Sequence, residues 1–191
     1  MPMVKRFPIF GDLDADWRRF VRSPEAAGAV ARWKAVEPRL ADLHTVADVM
    51  VLRRDPERAD QVLRALVERA RSDAAAARVV LQALIPGLVR ISSWYADDDP
   101  ESTAGEVVAI AWERICTYPA HRCGAVAPNL LFDIRKQVRT DREQQVTVPA
   151  PAPARSAEDM AIEAMVFDEL RDLERSTMGD EDCFDLIVAS R

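Results

Sequence analysis

The sequence predicts an all-α protein, a bundle of helices around one sizeable core. The chain has 191 residues, and 49% of them are hydrophobic, so a substantial core can be buried. Only 6 residues are glycine and 6% are aromatic, while Ala, Leu, Val, Arg and Glu dominate. These residue types favour helices. Apolar residues recur at helical spacing, and the alternation that is typical of β-strands is scarce.

Three helix starts share one pattern, in which a capping residue precedes a proline and an acidic residue. The three are Ser23-Pro24-Glu25, Asp55-Pro56-Glu57 and Asp99-Pro100-Glu101. The capping side chain accepts a hydrogen bond from a backbone N–H that has no partner within the helix. Proline loses nothing at the first helical position, and the acid suits the helix dipole. These positions therefore predict helix boundaries.

The apolar periodicity predicts the extents of the helices. Residues 1–11 are expected to form an extended arm, and the helices to cover 13–21, 24–36, 46–52, 56–71, 74–95 and 100–117. The segment 74–95 is almost continuously apolar, which predicts the central helix of the bundle. Pro86-Gly87 is expected to kink it. In the segment 100–117, Trp112 is expected to lie in the core.

A second motif is the segment 127–142, which predicts a helix with two different sides. Leu130, Leu131, Ile134 and Val138 fall at core-facing spacing, while Arg135, Arg139 and Arg142 recur on the other side with Lys136 beside them. The chain has a net charge of -6, so a local row of basic residues suggests a partner that bears phosphates. The alternative is a solvated face in which Arg139 and Arg142 pair with nearby acids.

The C-terminal part begins with alternating prolines and alanines. Residues 145–155 are expected to form a stiff linker, and Ser156 to cap a helix whose apolar face is Ile162, Val166, Leu170 and Leu173. The sequence thus predicts four segments. They are an N-terminal helical extension (1–72), a helical core domain (73–144), the linker (145–155) and a C-terminal helical segment (156–191).

Two consecutive helices resemble a known family. Ala111-Trp112 ends the apolar part of the first, and the second contains Ala127, Asn129 and Asp133, followed by Arg135 and Lys136. This pair is similar to the conserved core domain of bacterial RNA polymerase sigma factors, especially the short extracytoplasmic-function type. The linker lies where that family joins its two domains.

The resemblance implies a transcription regulator that binds promoter DNA, the RNA polymerase core, or both. Asn129, Arg135, Lys136, Arg139 and Arg142 would then contact DNA, with Asn129 reading a base or simply capping its helix. Glu106, Glu113 and Arg114 would contact the polymerase. Trp94, Tyr95 and Tyr118 could stack on unpaired bases, although a place in the core or at its rim is the simpler role for each.

Departures from the family pattern favour a second hypothesis, a protein-interaction regulator that reuses the fold without recognising promoters. Gly105 replaces a glutamine, the segment between the two helices is short, and Pro128 is expected to delay the start of the second helix. An additional regulatory protein would then be the partner. The N-terminal helices are expected to pack on the core domain and to cover part of its DNA face.

Other classes of function lack support in the sequence. No nucleophile–base pair or phosphate-binding loop is visible, so we expect no enzyme, cofactor or small-molecule substrate. Cys116, His121 and Cys123 lack a fourth zinc ligand at suitable spacing, so no metal is expected. No apolar run is expected to be long enough to span a membrane. Three cysteines without a CxxC pair fit a reduced, cytoplasmic protein.

Overall fold

The computed structural model describes residues 7–52, 55–96, 99–119 and 121–145. Within these ranges the chain forms helices and no strand, which confirms the all-α prediction. The helices are α1 (Pro8–Val21), α2 (Pro24–Val36), α3 (Asp48–Val51), α4 (Pro56–Ala70), α5 (Ala74–Tyr95), α6 (Pro100–Cys116) and α7 (Val126–Gln145), with a 3₁₀ turn at Pro38–Leu40. The predicted linker and C-terminal segment lie outside the described residues, except for Gln145.

The three predicted caps are confirmed. Ser23, Asp55 and Asp99 each accept a hydrogen bond from the backbone N–H three residues on, at 3.1, 3.1 and 3.0 Å. The extended arm expected at 1–11 is wrong for the part that the structure describes, because α1 already begins at Pro8. Phe7 and Phe10 are buried and touch edge to face, so core packing holds this first turn in place.

Helix α5 is the centre of the bundle, as predicted, and it contacts all six other helices. It runs without interruption through Pro86. The expectation that no segment is long enough to span a membrane was wrong, since α5 passes that test by length and composition. Half of the relevant window is buried inside the bundle, and one such helix is weak evidence for a membrane span, because core helices can pass the same test.

The N-terminal helices pack against the rest of the bundle. Helix α1 contacts α5 and α6, and α4 contacts α5, α6 and α7. The indole N–H of Trp33 in α2 donates a hydrogen bond to Asp73, which also caps α5 through Ala75 at 3.0 Å. Buried side chains on both sides of residue 72 therefore belong to one core.

The predicted burial of Trp112 is wrong. Its side chain is 39% exposed, and Val108 is only half-buried. The core-facing stripe of α6 is instead Ala104, Val107, Ala111 and Ile115. Trp112 lies about 100° around the helix from Ala111, which faces the core, and small alanines rather than the tryptophan fit against the neighbouring helices.

Helix α5 meets α7 at Gly87. A Cβ atom at position 87 would lie 2.5 and 2.6 Å from the two methyl carbons of Leu131, closer than side chains pack. The missing side chain therefore lets α7 approach α5 and lets Leu131 fill the space. A glycine inside a helix has an unfavourable propensity, and this contact gives a packing reason for it.

A charged cluster joins the 3₁₀ turn to α4. Glu37 pairs with Arg39 at 2.9 Å and Arg69 at 3.1 Å, and Arg39 also pairs with Glu68. Glu37 is buried. Its hydrogen bonds with Arg39, helped by the charge of Arg69, lower its pKa from 4.5 to about 2 and outweigh the effect of burial.

The Gly87 contact predicts a non-additive pair of substitutions. Gly87→Ala alone should destabilise the fold by about 1–3 kcal/mol, because the new methyl group overlaps Leu131. In a Leu131→Ala background, the same change should be neutral or stabilising, since alanine is the better helix former. Chemical denaturation of the four proteins measures this difference. Equal effects of Gly87→Ala in both backgrounds would contradict a steric role for Leu131.

The Glu37 cluster predicts a loss of stability in acid. A carboxyl whose pKa is lowered on folding stabilises the fold above its unfolded pKa, and that stability disappears as the pH falls from about 4.5 to about 2. The contribution is at most about 3 kcal/mol, from the size of the pKa shift. Glu37→Gln should remove this component, measured by denaturation from pH 7 to pH 3. The matched change of the exposed Glu101, Glu101→Gln, should have a smaller effect at every pH.

Candidate nucleic-acid interface

The N-terminal end of α7 is fixed by α4. The carboxylate of Asp60 accepts a hydrogen bond of 2.6 Å from the backbone N–H of Val126. Arg64 donates to the carbonyl oxygens of Arg122 and Gly124 at 2.9 and 2.6 Å. Gly124 has a φ of +86°, a conformation that glycine adopts without strain. Helix α4 thus holds the loop between α6 and α7 and meets α7 at this end.

The expected late start of α7 is wrong. The helix begins at Val126, so Pro128 lies in its first turn. Backbone N–H groups in a first turn have no partner within the helix, so proline is tolerated there.

Asn129 faces the loop rather than solvent. Only 7% of the residue is exposed. Its amide nitrogen donates to the carbonyl oxygen of Cys123 at 3.0 Å and to the hydroxyl of Tyr118 at 3.3 Å. Tyr118 is also buried, so neither side chain is presented to a partner in this conformation. This geometry favours a structural role for Asn129, although that role differs from the expected helix cap.

The basic residues of α7 have different surroundings. Arg139 lies 3.5 Å from Glu143, and Arg142 donates to the hydroxyl of Thr103 at 2.8 Å and lies 4.0 Å from Glu106. Asp133 pairs with Arg122 of the loop. The solvated-face alternative predicted acidic partners for Arg139 and Arg142. Glu143 and Glu106 are those partners, and they partly balance the positive charge of the two arginines.

Arg135 instead contacts an aromatic side chain of α5. Its guanidinium lies 5.0 Å from the centre of the Trp94 ring, and Arg90 of α5 lies 5.2 Å from the same centre. Trp94 is 36% exposed, and Phe132 and Lys136 are also exposed on neighbouring turns of α7. We call this set the Trp94 surface; it consists of Arg90, Trp94, Phe132, Arg135 and Lys136.

The Trp94 surface combines positive charge with aromatic rings. Arginine stacked on tryptophan gains cation–π attraction, and the same groups can contact phosphates and unpaired bases. Sequence reasoning missed Arg90 and Phe132 as members of this surface. The signal for Arg90 was present, because Arg90 and Trp94 are four residues apart and lie on the same side of α5.

The three residues expected to contact polymerase lie on two sides of α6. Glu106 and Glu113 are exposed on one side of the helix, about 100° around its axis from Trp112. Arg114 is half-buried and donates a hydrogen bond to Gln137 of α7. Arg114 therefore joins the two helices, while the two glutamates belong to an accessible face.

The cysteine and histidine residues form no cluster in the described structure. Cys116 is half-buried, and burial raises the pKa of its thiol. Cys123 and His121 are exposed. Across the described ranges, no group of three or more His, Cys, Asp and Glu side chains is arranged to hold a metal ion. Cys183 lies outside those ranges.

Comparisons with known proteins leave the family open. No protein-family model, no curated protein and no solved structure matches this chain. The sigma-factor resemblance therefore depends on the residues quoted above, and the functional argument depends on the geometry of the surfaces.

The position of Asn129 predicts that its removal affects stability. Asn129→Ala should lower the free energy of unfolding by about 1–3 kcal/mol, because the carbonyl of Cys123 and the hydroxyl of the buried Tyr118 lose a donor. Gln61→Ala, which removes an exposed amide from α4, should stay within about 0.5 kcal/mol. Thermal and chemical denaturation measure both. An unchanged melting temperature together with altered base preference would instead restore Asn129 as a base-reading residue.

Proposed function

We propose that this protein is a sigma-factor-like transcription regulator that contacts nucleic acid through the Trp94 surface. The observation that carries the proposal is the placement of two arginines against one partly exposed tryptophan, with a lysine beside them. The resemblance of α6 and α7 to the sigma core domain adds to it. The RNA polymerase core is the expected second partner.

The composition of the Trp94 surface favours a strand with unpaired bases over a closed duplex. Guanidinium and ammonium groups bind phosphates along any strand and release counterions. An exposed aromatic ring contributes only when a base is unstacked, and base–aromatic stacking is worth about 1–3 kcal/mol. A duplex hides the faces of its bases, so Trp94 and Phe132 would add little to duplex binding.

The proposal changes the predicted roles of individual residues. Arg135 and Lys136 remain phosphate contacts, and Arg90 joins them. Arg139 and Arg142 are expected to contribute less to DNA affinity, because each lies near a glutamate. Asn129 is no longer expected to read a base, since its amide is engaged with the loop.

Binding measurements with matched variants test this function. Affinity of the whole chain for single-stranded and duplex promoter-length DNA should be measured across a range of salt concentrations. Arg135→Gln, Arg90→Gln and Lys136→Gln should each lower the slope for single strands by about 0.7. Trp94→Leu should weaken single-strand binding by about 1–3 kcal/mol and leave the slope unchanged.

Two control variants make the experiment specific. Arg71→Gln removes an exposed arginine at the end of α4, and Trp112→Leu removes a tryptophan of almost equal exposure on α6. Neither should change DNA affinity. If all variants bind DNA as the wild type does, or if no binding is measurable at low salt, the Trp94 surface is not a nucleic-acid interface.

A second candidate function, protein interaction without promoter recognition, is favoured by the exposed side of α6. Glu106 and Glu113, seven residues apart, are both exposed on this side of the helix. A pull-down of the RNA polymerase core with the whole chain, compared with Glu113→Lys, tests whether this side binds polymerase. Capture that depends on Glu113, together with no DNA binding, would make this second function the leading one.

A further inference from the structure

The ring of Trp94 is in contact with two cations at once. The guanidinium of Arg135 lies over the indole at 5.0 Å from its centre, and that of Arg90 lies over it at 5.2 Å. Arg90 is exposed and Arg135 is half-buried, so both guanidiniums lie on sides of the ring that solvent reaches. A nucleotide would have to approach Trp94 from those same sides.

An unpaired base that stacks on Trp94 competes with these guanidiniums for space. A base lies flat on an aromatic ring with carbon atoms about 3.5–4.0 Å apart, and a guanidinium stacks on the ring in the same way. One part of the indole cannot hold both planar groups. A base that stacks where a guanidinium lies must therefore displace it.

The strengths of the competing contacts indicate which arginine is displaced. A cation–π contact changes an equilibrium constant by about two- to fivefold at an exposed site and by about 30-fold when desolvated. Stacking of a base on an aromatic side chain contributes about 5- to 150-fold. Stacking therefore outweighs the contact of the exposed Arg90 more easily than that of the half-buried Arg135.

A displaced Arg90 has a new partner within reach. Arg90 and Trp94 are four residues apart on α5, so the arginine side chain starts one turn from the ring. A nucleotide stacked on Trp94 brings its phosphate to the same place. Arginine binds a phosphate through two parallel hydrogen bonds, so the guanidinium exchanges one attraction for another without leaving the Trp94 surface.

We propose that Arg90 caps the Trp94 ring until an unpaired base replaces it, whereupon Arg90 moves to the adjoining phosphate and Arg135 stays against the ring. This inference rests on the proposed function and gives the two arginines different roles. Arg90 becomes a specificity-determining residue, because only a ligand with both a stacking base and a phosphate compensates for its displacement. An uncharged aromatic ligand displaces Arg90 without that compensation.

A single-stranded oligonucleotide with uncharged methylphosphonate linkages separates stacking from phosphate binding. Fluorescence anisotropy at low salt compares its affinity for the whole chain with that of a normal DNA strand of the same sequence. Arg90→Ala should bind the uncharged strand about two- to fivefold more tightly than the wild type does, because the ring is no longer capped. The same variant should bind the normal strand more weakly, because a phosphate contact is lost.

Three further variants serve as controls. Arg135→Ala should not tighten binding of the uncharged strand, because Arg135 remains on the ring in the complex. Adding Trp94→Leu to Arg90→Ala should remove the gain, since no indole is left to uncap. Arg71→Ala, which removes an exposed arginine at the end of α4, should change neither affinity. Circular dichroism and melting temperatures establish that each variant keeps its fold.

Ring-current shifts in NMR spectra report the position of Arg90 directly. Without DNA, the δ-methylene protons of Arg90 and Arg135 should be shifted upfield by the indole, and Trp94→Leu should remove both shifts. Saturation of the wild type with the normal strand should return the Arg90 protons to their ordinary position. The Arg135 protons should stay shifted.

The outcomes separate this inference from the proposed function. If the normal strand binds through Trp94 but Arg90→Ala does not tighten binding of the uncharged strand, the capping role of Arg90 is wrong and the interface stands. An Arg90 ring-current shift that persists in the complex leads to the same conclusion. If the wild type binds neither strand, the interface is wrong and this inference fails with it.

Discussion

The burial of α5 is the constraint on which the rest of the fold depends. A helix of 22 residues with an almost continuous apolar surface must be covered on nearly every side to be stable in water. Six helices provide that cover. Because the helices before residue 72 supply part of it, they belong to the same core as α6 and α7 and do not form an independent layer. The pair formed by α6 and α7 is thus built into a larger bundle.

The same constraint determines where functional side chains can lie. Most of the polar side chains of α5 that reach solvent lie near its ends, and Arg90 and Trp94 are exposed in its last two turns. Helix α7 covers the middle of α5 through Leu131 and brings Arg135 to Trp94. The Trp94 surface therefore depends on the close approach that Gly87 allows, although Gly87 itself contacts no partner.

Sequence patterns predicted the helices well and the surfaces poorly. Caps and prolines act within one turn, so Ser23, Asp55 and Asp99 could be recognised from their neighbours alone. The exposure of Trp112 depends on which of two adjacent stripes meets α5, and that choice is made by packing between helices. The sequence left the role of Asn129 open for a similar reason. Its partner Cys123 lies in the α6–α7 loop, whose path no local pattern specifies.

Gly87 and Gly105 show how one residue type can serve opposite purposes in one bundle. At Gly87 the missing side chain is replaced by Leu131, so the glycine allows two helices to pack closely. At Gly105 the space remains open, and Val108 and Trp112, one and two turns further along α6, keep apolar surface exposed beside it. The same substitution, glycine to alanine, should therefore destabilise the fold at position 87, where the new methyl group overlaps Leu131, and be neutral or stabilising at position 105, where it meets no neighbour.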